Sequence, residues 1–210
     1  MDPLIARVAA ALLPIDGAPA TSLPDDIAVA RARRTGVIDG PLTPAAVLMP
    51  IIAHEDAPTV LFTRRSESLA RHAGQISFPG GRVDELDRTA VDTALRECEE
   101  EIGLTRDAVR LLGALDPHET GSGYCVAPLV GWIAPPLSLT LDSNEVAAVL
   151  EVPLAFLIDR ANHFAGTATF NDRSWPYTAI PYGEHRIWDI TAGIIVNLCE
   201  RLERAAGGGS

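Results

Sequence analysis

Residues 80–104, GGRVDELDRTAVDTALRECEEEIGL, constrain what this chain can fold into more than any other stretch. Val91, Ala94, Leu95, Cys98 and Ile102 recur at i, i+3, i+4, i+7 and i+11, a spacing that lays one apolar stripe along an amphipathic helix. Thr89 with Asp92 three residues on predicts a capping box at its start. Gly103 falls where a helix usually ends in a left-handed residue.

The other faces of this helix are unusual. At about 100° per residue, Glu97 and Glu101 fall side by side on one flank of the stripe, and Glu100 lies a little further round. Like charges at i, i+3 and i, i+4 cost a helix about 0.2–0.5 kcal/mol per pair. A hard divalent ion would reverse that penalty, because magnesium takes carboxylate, phosphate and water oxygens. The competing reading is a plain solvated acidic face, the usual meaning of a charge run.

Context favours the ion. Arg96, Glu97, Glu100, Glu101, Gly103 and Leu104 reproduce the second half of the Nudix box, G-x5-E-x7-R-E-U-x-E-E-x-G-U, with Cys98 at the first aliphatic position. The chain resembles the Nudix hydrolases on this specific run. It departs from the pattern in the loop: the sixth residue after Gly81 is Asp87 rather than Glu, and eight residues rather than seven separate it from Arg96. Arg88 stands at the family's spacing. The loop acid is therefore open among Asp84, Glu85 and Asp87.

Composition bounds the rest. With 210 residues, 47% of them hydrophobic and 21% charged, the chain suits one soluble domain with extensions. A net charge of −11 disfavours nucleic acid as a partner. All 17 basic residues are Arg. Three widely spaced cysteines, Cys98, Cys125 and Cys199, without a C-x-x-C pair, predict a reducing compartment and no structural zinc. Cys98 lies on the apolar stripe and reads as core. Leu4–Leu13 is short and interrupted by Arg7, so it reads as a surface helix rather than a signal peptide, and no run reaches membrane-spanning length. The expectation is a cytoplasmic protein without membrane partners; homodimerisation is left open.

In chain order, residues 1–44 read as an N-terminal extension packed on the domain, with a basic patch at Arg31, Arg33 and Arg34; residues 45–204 as the hydrolase domain; and 205–210 as a flexible tail. Ala45–Ala53 and Val60–Arg64 read as strands, and Pro50 predicts an edge or a bulge in the first. Gln75–Phe78 reads as a short strand leading into the box. Val109–Leu115, Tyr124–Ile133, Thr167–Phe170, Tyr177–Ile180 and His185–Trp188 read as further strands. Glu145–Leu150 is either a helical turn or a strand, Pro153–Ile158 a short helix, and Thr191 the cap of a last amphipathic helix carrying Ile194, Ile195, Leu198 and Leu202. This makes an α/β domain. The resemblance implies its arrangement: a Nudix-type α/β/α sandwich with a mixed sheet and a loop-helix-loop catalytic box.

The segment ahead of the box narrows the substrate. Residues 61–81, LFTRRSESLARHAGQISFPGG, are similar to the signature of the coenzyme A pyrophosphatase branch, LLTxR(S/A)x3Rx3Gx3FPGG. Leu61, Thr63, Arg65, Ser66, Gly74, Phe78, Pro79, Gly80 and Gly81 match. Ala70 stands where the signature has Arg, with Arg71 next to it, and Phe62 replaces Leu. Residues 122–131, 144–154 and 185–195 resemble further segments of that branch. The resemblance implies metal-dependent hydrolysis of the coenzyme A diphosphate to 3′,5′-ADP and 4′-phosphopantetheine.

It also implies roles. Glu97 and Glu101 would be the main magnesium or manganese ligands, with Glu100 a further ligand or an orienter of water and the Gly81 carbonyl completing the shell. Arg96 would fix an acidic side chain of the box. Arg65 is the first candidate for a substrate phosphate, with Arg64, Arg71, Gly80 and Phe78 beside it; Arg82 adds to the local basic cluster. Glu100 and Glu145 are candidates for the general base. His72, His118 and His185 read as surface or core residues, and Trp132, Trp175 and Trp188 as core aromatics, Trp175 being also a candidate to stack on adenine. Two alternatives stand: the same chemistry on ADP-ribose, dinucleotides or nucleoside-diphosphate sugars, and a ligand-sensing module without turnover, which the intact carboxylate set disfavours.

Overall fold

The computed structural model describes residues 2–15, 41–69, 72–170 and 173–207. Its centre is an eight-stranded mixed sheet running β3-β2-β1-β7-β5, with β4 on β1, β6 on β7 and β8 on β2. Strands β1 (Thr43–Ile52) and β2 (Thr59–Arg65) start as an antiparallel hairpin, Ile51 opposite Val60 and Ile52 opposite Thr59. They then diverge. Strand β3 (Ile76–Ser77) pairs with β2, and β4 (Gly80–Arg82) pairs with β1. The chain ahead of the helix thus fills a fork between two strands.

The fork corrects the expectation about Pro50. β1 is an interior strand, paired in parallel with β7 (Tyr124–Ile133) over its whole length, from Thr43 opposite Tyr124 to Ile52 opposite Ile133. It carries no bulge. On its other flank Leu48 donates its N–H to the Pro79 carbonyl at 2.9 Å. A strand alternates its donors with period two, so the donor that Pro50 lacks falls on the same flank, between the stretches paired with β4 and β2. A missing N–H costs least there.

Helices cover both faces of the sheet. On one, α2 (Ala90–Ile102) buries Ala94, Leu95, Cys98 and Ile102 against Ala46, Leu48, Leu61, Leu129 and Ile133. On the other, α1 (Pro3–Ala11), α3 (Leu154–Ile158) and α4 (Asp189–Gly207) pack on Met49, Ile51, Val60, Phe62 and Val130. Each fully buried large aliphatic side chain contributes about 1.5–3 kcal/mol. The α/β/α arrangement is the one expected.

Around this frame lie β5 (Val109–Ala114), β6 (His118–Glu119) and β8 (Val146–Pro153) in the main sheet, and a small antiparallel sheet of β9 (Phe164–Phe170), β10 (Arg173–Tyr182) and β11 (His185–Trp188). Of the two readings of Glu145–Leu150, strand prevails, because β8 pairs with β2 from Arg65 to Thr59. Thr191 does not cap α4. The helix begins at Asp189, and the buried Thr191 hydroxyl donates to the Ile76 carbonyl at 3.3 Å, tying α4 to β3. That helix runs on to Gly207.

The N-terminal helix is capped by Asp2, whose carboxylate accepts from the Leu4 and Ile5 amides, with Pro3 in the first turn. It buries Ile5, Val8 and Ala11 in the core shared with α4. Leu13 then exchanges backbone hydrogen bonds with Ala114 of β5. Arg31, Arg33 and Arg34 lie outside the described residues. All three cysteines are buried and none is in a disulfide, and burial pushes the Cys98 thiol well up from its ordinary value, as its place on the apolar stripe implies. Among the described residues no helix is long and apolar enough to cross a membrane.

Candidate active site

Helix α2 starts with the capping box expected of it: the Thr89 hydroxyl accepts from the Asp92 amide at 3.2 Å, and the Asp92 carboxylate accepts from the Thr89 amide at 3.0 Å. It ends at Gly103, φ 70°, whose N–H reaches back to Cys98 and Glu99 carbonyls. With both ends fixed and the apolar stripe docked on the sheet, the rotation of the helix is determined. That rotation sinks Glu101, which is only 5% exposed, leaves Glu97 half-buried at its side, and keeps Glu100 in solvent.

Glu101 is the anomaly of the site. Its Oε2 is buried and has no hydrogen-bond partner among the described residues. Burial pushes its carboxyl up to about 8, and the negative charges of Glu97 and Glu145 push the same way; Arg65 and a hydrogen bond from the Gly80 backbone only partly oppose them. Glu97 is also raised, first by burial, with Glu100 and Glu145 adding and Arg96 relieving. Burying a carboxylate without a full complement of partners is costly.

Arg96 organises the other side. Its Nε and Nη2 donate to the two Asp87 carboxylate oxygens at 3.2 and 2.9 Å, Nη2 also reaches the Arg82 carbonyl at 3.0 Å, and Nη1 lies 3.0 Å from Glu97 and 2.8 Å from Glu100. The fork on Asp87 is the bidentate geometry in which arginine excels. Burial alone would raise the Asp87 carboxyl, but hydrogen bonds from Arg96, the Asp84 backbone and Thr93 outweigh it and hold it below the ordinary range. Of the three loop acids left open by the sequence, Asp87 is thus the one that meets Arg96. Asp84 instead shapes the turn, accepting from the Leu86 amide.

The two glycines before the loop have separate reasons. A Cβ on Gly80 would stand 2.4 Å from the Ala46 carbonyl oxygen, and its φ of 151° is one that side chains avoid, so β4 can pair with β1 only with glycine there. A Cβ on Gly81 would stand 2.5 Å from the Glu97 carboxylate carbon. Gly81 therefore lets the Glu97 head group lie directly on the backbone.

A third acid arrives from a distant segment. The loop before β8 is tied to the end of α2, the Thr140 amide donating to the Ile102 carbonyl and the Asp142 amide to the Glu101 carbonyl, and to the end of β2, the Ser66 amide donating to the Glu145 carbonyl at 2.8 Å. These anchors bring Glu145 close enough to raise both Glu97 and Glu101. Glu145 stands immediately ahead of β8, not in a helical turn.

The expected basic cluster does not converge. Arg65 faces the carboxylates, and its Nε is buried without a hydrogen-bond partner among the described residues. Arg64, the neighbouring residue of the strand, points to the opposite face of the sheet, into a cavity beside β11. Arg82 is exposed and serves through its carbonyl. Arg71 and Ala70 lie outside the described residues, as does the side chain of Trp175. Phe78 is corrected from a substrate contact to a core residue: it is 4% exposed and stacks on Phe62 with ring centroids 4.9 Å apart.

Three acceptor-only side chains around a buried, unpartnered oxygen, with the Gly81 backbone alongside, are the donor set of a hard divalent cation. Among the described residues no three of these side chains already converge at ligand distance; Glu97 and Glu100 both lie on Arg96. The residues fit a cation in their chemistry: one bound at Glu97 and Glu101 would relieve the repulsion that raises both.

Residues 42–169 match the family model for the NUDIX domain. A curated protein of Photorhabdus laumondii, an uncharacterized Nudix hydrolase named NudL, is 40% identical over 159 residues, covering 76% of this chain and 84% of that protein. The NudL of Yersinia enterocolitica is 38% identical over 164 residues, covering 75% and 80%. Two solved structures share the fold. A Caenorhabditis elegans Ap4A hydrolase in a binary complex aligns with a TM-score of 0.50 at 15% identity, over 78% of this chain and 96% of that one. A MutT protein from Methanosarcina mazei aligns with a TM-score of 0.50 at 20% identity, over 81% and 99%.

Proposed function

This chain belongs to the Nudix hydrolases, and from that premise we propose that it cleaves the diphosphate bond of coenzyme A or a derivative of it, with magnesium or manganese, yielding 3′,5′-ADP and 4′-phosphopantetheine. One observation carries the reading. The run similar to the coenzyme A pyrophosphatase signature delivers Arg65 and the Gly80 backbone to the same carboxylate, Glu101 of the box. The segment that bears on substrate and the helix that bears on chemistry meet at one oxygen cluster.

In this reading Glu97 and Glu101 hold the ion, with Glu100 and the Gly81 carbonyl as further oxygen donors. A bound divalent ion neutralises the diphosphate and makes a water more acidic. Arg65 offers a guanidinium to a substrate phosphate oxygen. Arg96 is a positioning residue: gripped by Asp87, it holds the box loop against the helix and sets the direction of Glu97. Glu145, exposed at the head of β8, accepts the proton of the attacking water. Residues 45–204 form the hydrolase domain, and a reducing cytoplasm suits three cysteines without a disulfide.

The deciding experiment is to incubate the protein with coenzyme A and magnesium and identify the products by mass. Release of 3′,5′-ADP and 4′-phosphopantetheine is expected. Turnover of ADP-ribose well above that of coenzyme A in a parallel panel would overturn the substrate assignment.

A further inference from the structure

Glu145 comes to the carboxylates of α2 from a segment distant in the chain, and one residue of that segment joins it to them. A helix ends in backbone carbonyls that it cannot satisfy itself. In α2 those of Cys98 and Glu99 are closed by the Leu104 and Gly103 amides. Those of Glu101 and Ile102 accept instead from the Asp142 and Thr140 amides, at 3.0 and 2.9 Å. Leu137, Leu139 and Leu141 pack against the core beneath α2, so alternation holds the same register on the helix end. The backbone of the buried Glu101 is thus tied directly to Asp142.

Asp142 then turns the chain. Its Oδ1 accepts from the Asn144 amide and from Asn144 Nδ2, each at 2.9 Å, the arrangement of an Asx-turn. Its carbonyl accepts from the Glu145 and Val146 amides at 3.0 and 2.8 Å. A second feature, independent of the turn, follows at once. Thr63 lies opposite Val149 and Arg64 opposite Ala148, but Arg65 lies opposite Val146, so the register skips Ala147. Val146 and Val149 both pack in the layer beneath α2, which strand alternation forbids at that spacing unless one residue bulges. The bulge returns Val146 to the face of Arg65 and sets the Glu145 carbonyl against the Ser66 amide at 2.8 Å. Glu145, itself exposed, stands between two fixed points, the Asp142 turn and the bulge.

We propose that Asp142 is a positioning residue, which holds the Glu145 carboxylate at a set place relative to Glu101 without touching substrate or ion. Its amide takes its reference from the Glu101 backbone. Its carboxylate and carbonyl pass that reference to Glu145 three residues on. The role asks for an oxygen acceptor and not for a charge, which separates Asp142 from the acids of the ion site. The assignment rests on Glu145 acting as the base in the reading above, and it is independent of which nucleotide is cleaved.

The test compares Asp142→Ala, Asp142→Ser and Asp142→Asn, alone and with Glu145→Gln, at saturating magnesium. The substrate is coenzyme A or, where it is turned over faster, ADP-ribose. Asp142→Ala is expected to lower kcat about tenfold with KM unchanged, because a misplaced group costs rate rather than binding. Asp142→Asn keeps the acceptor and is expected to retain most of kcat, and Asp142→Ser, a weaker acceptor, to fall between them. Glu145→Gln is expected to lower kcat about a hundredfold, and Asp142→Ala to add little in that background, since the two act as one unit. Hydrogen exchange over residues 142–146 of the metal-free protein reads the turn without turnover: faster in Asp142→Ala, and as in the wild type in Asp142→Asn. Asp142→Asn as impaired as Asp142→Ala, unchanged exchange in Asp142→Ala, or additive losses with a Glu145→Gln that is itself impaired would each overturn the proposal alone. Full kcat in Glu145→Gln would remove the base assignment and the proposal with it. Should Asp142→Ala fail to fold, Asp142→Ser carries the same comparison.

Discussion

At the scale of the residue, Glu101 sets the terms. Its folded value of about 8 lies above its ordinary value of 4.5, so the native state keeps a proton that the unfolded chain gives up between those two values. The stability this contributes is full below about 4.5 and is lost as pH rises to 8. Glu97, also raised, acts in the same sense; Asp87 and Asp92, both lowered, lose their contributions only as pH falls toward 3.8 and below. Thermal melts of the metal-free protein are therefore expected to show Tm declining across that window, with magnesium restoring more at its alkaline end than at its acid end. Glu101→Gln should flatten the decline and at the same time lower kcat by on the order of a hundredfold or more. A slope left unchanged by the substitution would remove Glu101 as its source. The glutamates were legible in the sequence because helical spacing is local. Asp87 was not, because a loop with one extra residue is resolved only by which carboxylate the Arg96 fork can reach.

At the scale of the element, the decisive piece is the short extended run filling the fork between β1 and β2. Two adjacent glycines there predict opposite phenotypes. Gly80→Ala pushes a methyl into the Ala46 and Val47 backbone, and is expected to destabilise by about 1–3 kcal/mol in a denaturant titration. Gly81→Ala meets first the carboxylate of Glu97, a movable group, so it should leave the melting midpoint nearly unchanged while reducing kcat. Loss of stability in both variants and of activity in neither would refute the distinction. The sequence showed both glycines but not this division, because it depends on which chain lies opposite each. Pro50 misled for the same reason: a proline tolerated at the crotch of a fork reads, one-dimensionally, like a proline at an edge. The helix itself was readable to its caps, since Thr89, Asp92 and Gly103 act within a turn of their own position.

At the scale of the whole molecule, the sheet separates two hydrophobic layers, and the active-site helix belongs to only one of them. Ile5 of α1 is fully buried in the other, beside α4. Ile5→Ala is expected to cost about 2–5 kcal/mol and to lower Tm, with KM for the substrate held at the wild-type value; a KM that moves with stability would show that the layers are energetically joined. Strand count and layer class could be read from alternation and spacing. The neighbours of Glu145 could not, because it meets Ser66, Glu97 and Glu101 across more than forty residues of chain. The runs 144–154 and 185–195 carried the hint, in their likeness to the same branch as residues 61–81.

Because successive side chains of β2 project to opposite faces, Arg64 and Arg65 divide between them a cavity and a carboxylate cluster that share no wall. A register slip of one position would swap their addresses and disable both at once, whereas a two-position slip would restore each face with different neighbours. A single codon change at either position alters one face and leaves the other side chain where it is, so the two surfaces of β2 can diverge independently.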